Sequence, residues 1–393
     1  MVTNETSSFF LELEDRYQIP SYPKWPVTLV EGKGCSVFDA TGREYLDFYG
    51  GHCVAILGHA HPGWTRSVMQ QAGKLAFYSN IAGNDMRAIY QQRLVEFAPA
   101  QLTRLFLCNS GSEANENAVK LAIKATGRQE LLCVQGGFHG RTAGALSMTT
   151  LGGYRDQFPS LVHEIEAVEF GDIESLRNAL TSETAALILE PIQSMNGVKS
   201  ASPSYYPEVV QVCHDNGTLV IFDEVQTGMG RVGTSFACDR FNARVDMVTA
   251  AKGIANGFPL GAVLATEEVS MSLEMGELGS TFGGGPMSCA AGLAVLEAIE
   301  NENLMSRALL MEDVARRTLV TGPVVGVRGC GLLLGLETNV PAREVVHHLF
   351  RQNIMTGGSS DPHVLRLMPP LIIEAPAFEQ LAEALEKFTP ELS

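Results

Sequence analysis

The 393-residue sequence lacks the features that mark disulfide-rich, zinc-binding and membrane proteins. Its eight cysteines are scattered singly, with no CxxC pair and no spacing typical of metal ligands. No apolar run reaches the roughly 20 residues that a membrane helix needs. The opening stretch, MVTNETSSFFLELEDRY, has no charged-then-apolar signal pattern. We therefore expect reduced core thiols, no bound metal, no membrane contact and a cytoplasmic location.

Positive charge is also scarce. The 28 Lys and Arg residues face 44 Asp and Glu residues, which gives a net charge of −16 and argues against nucleic acid as a partner. No GxGxxG loop follows the first strand of the pattern and no GxxxxGK[S/T] loop occurs, so a nucleotide-binding domain is disfavoured. Any anionic ligand must meet a local positive site.

The hydrophobic pattern predicts an α/β fold. Apolar runs of strand length (RLFLCN, ELLCVQ, AALILEP, TLVIFDE and MVTAAK) alternate with stretches of helical periodicity such as SEANENAVKLAIKAT. Short buried strands between helices favour a mostly parallel sheet with helices on both faces. VFDATGREYLDF predicts an antiparallel hairpin.

The length suggests more than one structural domain. We expect a large domain over residues 50–284. The N-terminal segment 1–49 is expected to join the C-terminal part, 285–393, in a smaller α+β domain.

Four predicted strand ends carry residues suited to chemistry, and ligands of open α/β sheets bind at such ends. Asn109-Ser110-Gly111-Ser112 opens a helix, which favours a phosphate, although Asn109 or Ser110 could simply cap that helix. The loop GGFHGRT offers Phe138 to stack on a planar ligand and Arg141 to hold a carboxylate; the alternative is an ordinary surface loop.

The other two strand ends supply an acid and an amine. Asp223 ends TLVIFD, where a carboxylate can pair with a protonated pyridine nitrogen, bind magnesium or cap a helix. Lys252 lies in a turn of small residues, where burial would make its amine a nucleophile toward an aldehyde; a surface lysine or a phosphate ligand are the alternatives. Together, the four ends meet the needs of pyridoxal 5′-phosphate (PLP).

The motifs, in their order, resemble those of the class III aminotransferases of fold type I, and most closely the acetylornithine and succinylornithine aminotransferases. The resemblance runs from about Tyr45 to Ile373 and includes YLDFYGGHCVAILGHAHP, CNSGSEANENAVKLA, GGFHGRT, LILEPIQ, IFDEVQTGMGRVG, AKGIANGFPLGAVL, STFGGGP and LRLMPPL. It implies a PLP-dependent aminotransferase that exchanges an amino group between an acylated ornithine and 2-oxoglutarate. A large PLP-binding domain and a smaller domain are implied with it.

The resemblance also implies roles for individual residues. Lys252 would hold PLP as a Schiff base and move the substrate proton, and Asp223 would pair with the ring nitrogen. The other implied PLP contacts are Ser110, Gly111, Ser112, Phe138, Gln226 and Thr281. Ser280 and Thr281 would come from the neighbouring subunit of a homodimer, with Ser280 toward the substrate.

Arg141 and Arg366 are the implied carboxylate-binding residues, and here the sequence departs from the family. Many relatives carry a Gly-Glu pair after EPIQ, and that glutamate neutralises the second arginine. This chain has Ser194 and Met195 instead. A succinyl group would bring its own carboxylate to Arg366, which keeps a succinylated substrate open beside an acetylated one.

Other functions fit the same motifs. A 4-aminobutyrate, lysine or other ω-amino acid transaminase, or a PLP aminomutase, would share the fold and the cofactor. A PLP-binding protein that has lost its activity is a further alternative.

Overall fold

The computed structural model describes residues 7–390, so the first six residues of the opening stretch lie outside it. Sixteen strands are assigned in this range: β1 (Leu29–Lys33), β2 (Ser36–Asp39), β3 (Glu44–Asp47), β4 (Arg104–Cys108), β5 (Glu130–Val134), β6 (Glu166–Val168), β7 (Thr184–Leu189), β8 (Ile192–Gln193), β9 (Lys199–Ser200), β10 (Leu219–Asp223), β11 (Met247–Ala250), β12 (Gly261–Ala265), β13 (Val324–Cys330), β14 (Leu333–Thr338), β15 (Ile354–Met355) and β16 (Val364–Leu367).

The same range contains fourteen helical segments: α1 (Ser7–Tyr17), α2 (Gly50–Cys53), α3 (Pro62–Lys74), α4 (Asp85–Phe97), α5 (Gly111–Thr126), α6 (Ala143–Met148), α7 (Ile173–Ala179), α8 (Tyr205–Asp215), α9 (Ala237–Arg240), α10 (Glu267–Ser270), α11 (Pro286–Asn301), α12 (Leu304–Thr318), α13 (Ala342–Arg351) and α14 (Ala375–Glu386). Three short 3₁₀ turns cover Arg155–Gln157, Pro159–Leu161 and Lys252–Ala255. None of the helices within residues 7–390 is long and apolar enough to cross a membrane.

The central sheet has seven strands in the order β4-β12-β11-β10-β7-β5-β6. Every residue of β7, β11 and β12 is buried, as expected for strands covered on both faces. β12 runs antiparallel to β4 and β11, and the other neighbours are parallel. The predicted α/β fold with a mostly parallel sheet is confirmed. The antiparallel strand was not foreseen, because an apolar run does not show its direction.

Helix α5 positions the start of the site. It follows β4 and begins after Ser110, whose hydroxyl accepts a hydrogen bond from the Glu113 N–H at 3.2 Å. It ends at Gly127, which has the left-handed conformation (φ 70°) common after a helix. Between these ends, the helix buries small and aliphatic side chains against the central sheet.

The N-terminal and C-terminal parts of the chain form two smaller sheets. One has the order β1-β2-β3-β15, and the other has the order β13-β14-β16. The predicted hairpin is present, since β2 and β3 pair antiparallel with Val37 opposite Tyr45. β15 pairs parallel with β3, which joins a C-terminal strand to the N-terminal sheet. The domain boundaries at residues 49/50 and 284/285 stay a prediction.

Candidate active site

A cavity of about 290 Å³ opens where several strands of the central sheet end. The polar positions predicted from β4, β5, β10 and β11 meet there, as the rule for open α/β sheets requires. The wall contains Val54, Asn109, Ser110, Gly111, Ser112, Asn115, Phe138, His139, Gly140, Glu190, Asp223, Val225, Gln226, Ala251, Lys252, Gly257, Phe258, Pro259 and Leu260. All the predicted cofactor contacts except Thr281 therefore lie on one cavity.

Lys252 follows β11 and reaches into this cavity. Its backbone is left-handed, with a φ of 47°, which is uncommon for a residue with a side chain. Burial lowers the pKa of the Lys252 ammonium, although Cys53, Asp223 and Glu190 oppose the shift. A lowered pKa increases the fraction of neutral amine, the form that attacks an aldehyde.

Asp223 ends β10, and its carboxylate is fixed from several sides. Oδ2 accepts a hydrogen bond from Asn115 Nδ2 at 2.7 Å and lies 2.8 Å from His139 Nδ1. Oδ1 accepts the Val225 N–H at 3.1 Å. Thr249 in turn donates to Asn115 Oδ1 at 2.7 Å, which fixes the orientation of the amide. The carboxylate is thus buried in one orientation beside the cavity.

The start of α5 offers backbone N–H groups to the cavity. A side chain at Gly111 would place its Cβ only 3.0 Å from Val225 Cγ2, so the close approach of these segments requires a glycine. Ser110 does cap the helix, as the alternative interpretation held. Capping does not exclude anion binding, because the helix start leaves further N–H groups and a positive dipole end for a phosphate.

Phe138, Gln226 and Glu190 form another part of the wall. The Phe138 N–H donates to Glu190 Oε1 at 2.8 Å, which holds the glycine-rich loop against the end of β7. Gln226 Oε1 is buried and has no hydrogen-bond partner among residues 7–390. Burial, followed by the charge of Asp223, raises the pKa of Glu190 to about 7.

The two predicted carboxylate-binding arginines lie beyond the wall of this cavity and differ in exposure. Arg141 is exposed, and its guanidinium lies 3.6 Å from the centre of the Tyr154 ring. Arg366 is only 3% exposed, and donates from Nε to the Gly358 carbonyl at 2.6 Å and from Nη1 to Ser194 Oγ at 3.1 Å. Within residues 7–390, no carboxylate forms a salt bridge with Arg366.

Ser280 and Thr281 do not line the cavity of their own chain. Ser280 Oγ accepts hydrogen bonds from Asn109 Nδ2 and from the Gly283 N–H, each at 3.1 Å, and Thr281 is exposed. The neighbouring Phe282 ring is 65% exposed. If Ser280 and Thr281 contribute to an active site, that site belongs to a second chain.

Sequence reasoning missed four residues that shape the site: Asn115, His139, Tyr154 and Glu190. Asn115 was recoverable, because it lies four residues after Gly111 and so on the same helix face. His139 and Glu190 lie inside the GGFHGRT and LILEPIQ motifs, but only the packing of α5 and of the glycine-rich loop brings them to Asp223 and Phe138. No local pattern indicated Tyr154.

The residues of the cavity fit PLP. The start of α5 suits the phosphate, Phe138 lies on the wall where a ring can stack, and the fixed Asp223 carboxylate suits a protonated ring nitrogen. The unpaired Gln226 Oε1 leaves an acceptor for a polar ring substituent. Within residues 7–390, no group of three or more His, Cys, Asp or Glu side chains is placed to hold a metal ion.

Comparisons with known proteins agree with this chemistry. The family model "Aminotransferase class-III" matches residues 17–389. An acetylornithine aminotransferase from Methanopyrus kandleri is 40% identical over 95% of this chain and 98% of its own length. A [LysW]-aminoadipate semialdehyde transaminase from Deinococcus radiodurans is 38% identical over 98% of this chain and 92% of its own length.

Solved structures lead to the same family. An ornithine aminotransferase from Toxoplasma gondii, described with partial occupancy of PLP at its active site, is 29% identical and has a TM-score of 0.90 over 98% of this chain and 95% of its own. The match confirms the resemblance and the expected fold. The chain belongs to the class III aminotransferases and is a PLP-dependent aminotransferase.

Proposed function

We propose that this aminotransferase transfers the δ-amino group of an N-acylornithine, carrying an acetyl or a succinyl group, to 2-oxoglutarate. The names of the relatives support an acylated ornithine as amino donor, since several are acetylornithine aminotransferases at 34–40% identity. The observation that carries the proposal is the pair of guanidinium groups, one exposed and one buried.

The residues of the cavity would divide the work as follows. Ser110, Gly111, Ser112 and the partner's Thr281 would hold the phosphate, Phe138 would cover the ring face, and Gln226 would form a hydrogen bond with the ring hydroxyl group. Asp223 would keep the ring nitrogen protonated, and Asn115 and His139 would keep Asp223 in place. When bound, the cofactor supplies an electron sink for a substrate carbanion.

Lys252 would act twice. Its neutral amine would hold the cofactor through the aldehyde group, and as a free amine it would move the proton at the reacting substrate carbon. Burial supports both roles by lowering the pKa of Lys252. Arg141, Arg366 and Ser280 would hold the substrate so that its amino group faces Lys252.

The preference between an acetyl and a succinyl substrate depends on Arg366. Where many relatives carry a Gly-Glu pair, this chain has Ser194 and Met195, so Met195 replaces the neutralising glutamate, and the buried Ser194 hydroxyl accepts a hydrogen bond from Arg366. A neutral hydroxyl leaves the guanidinium charge uncompensated, and a buried uncompensated charge is costly. A donor with a second carboxylate would relieve that cost, which favours the succinyl substrate over the acetyl one.

The positions of Ser280 and Thr281 support a homodimer. Both residues lie outside the cavity of their own chain, near exposed apolar side chains that include Ile81 at 87% and Phe282 at 65% exposure. A twofold partner would cover this apolar surface and bring Ser280 and Thr281 to its own cavity. The cytoplasmic location stays a prediction, supported by eight cysteines without a disulfide.

A donor screen tests the proposal. Purified protein with PLP is mixed with acetylornithine, succinylornithine, lysine or 4-aminobutyrate, and the conversion of the bound cofactor to its amine form is followed by absorbance. We expect fast conversion with an N-acylornithine, and a larger kcat/KM for the succinyl compound. Equal rates for the two acyl groups would refute the argument from Arg366, and conversion only by lysine or 4-aminobutyrate would refute the proposed donor.

A further inference from the structure

Residues 50–53, which form α2, have an unusual backbone. All four are left-handed, with φ values of 59°, 55°, 71° and 66° for Gly50, Gly51, His52 and Cys53. The first two are glycines and bear this conformation readily, but His52 and Cys53 carry side chains and pay a steric cost. Non-glycine residues held in this region cluster at functional sites, which makes the side chains of this turn candidates for a function.

One end of the turn runs beside the strand that carries Arg366. The Phe48 carbonyl accepts the Met368 N–H at 2.7 Å, and a side chain at Gly50 would place its Cβ 2.5 Å from the Met368 carbonyl oxygen. The Tyr49 ring packs against Gly357, with Tyr49 Cδ2 only 2.9 Å from where a Cβ on that glycine would lie. Gly357 in turn exchanges backbone hydrogen bonds of 3.0 and 2.6 Å with Arg366.

The other end of the turn reaches the cofactor cavity. Cys53 Sγ lies 3.8 Å from the Gln226 carbonyl oxygen, and Val54 is part of the cavity wall. The turn that carries His52 therefore connects the Arg366 strand with the wall of the Lys252 cavity. The charges of both cationic side chains reach its imidazole.

The imidazole is held by Tyr49. The Tyr49 hydroxyl and His52 Nδ1 form a short hydrogen bond. An imidazole nitrogen accepts better than a phenol oxygen does, so the hydroxyl donates and Nδ1 accepts. Burial, with Lys252 and Arg366 nearby, lowers the pKa of His52 to about 3, so the ring is neutral at physiological pH. A neutral ring that accepts at Nδ1 carries its proton on Nε2 and donates from there.

We propose that His52, presented by this left-handed turn and oriented by the Tyr49 hydroxyl, donates its Nε2–H to the substrate carboxylate that Arg366 binds, and so helps to determine specificity. The inference rests on the proposed function for the role of Arg366 as a carboxylate-binding residue. It does not depend on which acyl group the amino donor carries. Ser194 and the Gly358 carbonyl already hold the Arg366 guanidinium in place. The His52 N–H would add a directional hydrogen bond to the carboxylate that this guanidinium binds.

The test uses the PLP-loaded enzyme and two readouts. Glutarate, a dicarboxylate without an amino group, is titrated against the visible absorbance of the lysine-bound cofactor to give Kd. L-Glutamate is then used in a single half-reaction to separate KM from kcat. Variants are His52→Leu, which removes the donor, His52→Gln, which retains an N–H donor, and Tyr49→Phe, which removes the orienting hydroxyl. Tyr45→Phe is the matched control, because the Tyr45 hydroxyl bonds to Asp39 away from the cavity.

We expect His52→Leu to raise Kd for glutarate and KM for glutamate about ten-fold, the loss typical of a hydrogen bond to a charged group. Tyr49→Phe should raise both about three-fold. His52→Gln should recover most of the loss, and Tyr45→Phe should match the wild type. Unchanged Kd values for His52→Leu would overturn the proposal, as would a loss confined to kcat.

Two further outcomes remain informative. If His52→Leu fails to bind PLP, the Kd of Tyr49→Phe for glutarate becomes the deciding measurement. A wild-type Kd for glutarate in that variant would overturn the inference. If wild-type enzyme binds glutarate but converts no N-acylornithine, the proposed donor is wrong while the role of His52 is still measured.

Discussion

Replacing Glu190 by Gln should make the cofactor-free protein more stable at neutral pH, with no change in acid. The Glu190 carboxyl is buried beside Asp223, which raises its pKa to about 7 from an ordinary value of 4.5. Below pH 4.5 the side chain is neutral in the folded and the unfolded chain. As pH rises toward 7, the unfolded chain releases this proton first, so the wild type loses stability that the Gln variant keeps.

The size of the effect follows from the pKa difference. A difference of about 2.5 at about 1.4 kcal/mol per pKa unit gives about 3 kcal/mol above pH 7. With an unfolding entropy of about 2.1 cal/mol/K per residue over 393 residues, this corresponds to about 4 °C in Tm. Glutamine retains an Oε1 that can accept the Phe138 N–H, so the substitution removes the charge and keeps the contact.

The assay is thermal unfolding of both proteins from pH 5 to pH 8 at one scan rate. The pKa of Glu224 is also raised to about 7 by burial, but Glu224 titrates in both proteins and cancels in the difference. The Tm difference should grow from about 1 °C at pH 5, where the unfolded chain already ionises part of this carboxyl, to about 4 °C at pH 8. A difference that is constant across this range, or that shrinks as pH rises, would refute the reasoning.

Three further predictions concern the site and the core. Lys252→Ala should abolish the visible absorbance of the PLP-loaded protein, measured by its spectrum, and lower kcat by roughly 10³-fold or more. Retained absorbance would mean that the cofactor is bound to another amine. Ser194→Ala removes the acceptor of an Arg366 hydrogen bond and should raise KM for glutamate about two- to ten-fold, with an unchanged KM as the contrary result. Gly292→Ala would place a Cβ 2.6 Å from the buried Tyr90 ring, so Tm should fall by an amount equivalent to about 1–3 kcal/mol. In the control Gly279→Ala, the new Cβ would meet no atom within 4 Å, so Tm should change little.

Much of the fold was predictable because burial on both faces of a sheet imposes continuous apolar runs. The five runs singled out in the sequence are β4, β5, β7, β10 and β11. Their flanking helices follow the expected alternation. The direction of β12 was not predictable, since parallel and antiparallel buried strands share one composition.

The cavity was predictable for a related reason. Asp223 ends β10 and Lys252 lies two residues after β11, so the sheet alone brings them to one edge. Residues that arrive through loops were harder to find. Tyr154 and His52 reach the site from segments whose path depends on tertiary packing, and a left-handed histidine has no sequence signal of its own.

The parallel pairing of β3 with β15 has a consequence for synthesis of the chain. Leu46 finds its partner at Ile354, more than 300 residues later, which corresponds to roughly 15 to 60 s of translation at about 5–20 residues per second. The central seven-stranded sheet, complete by Ala265, can form on the ribosome well before then. The turn at residues 50–53 directly follows β3, and its neighbour Arg366 is made later still. A nascent chain could therefore hold Asp223 and Lys252 in place for some time before the strand that carries Arg366 exists.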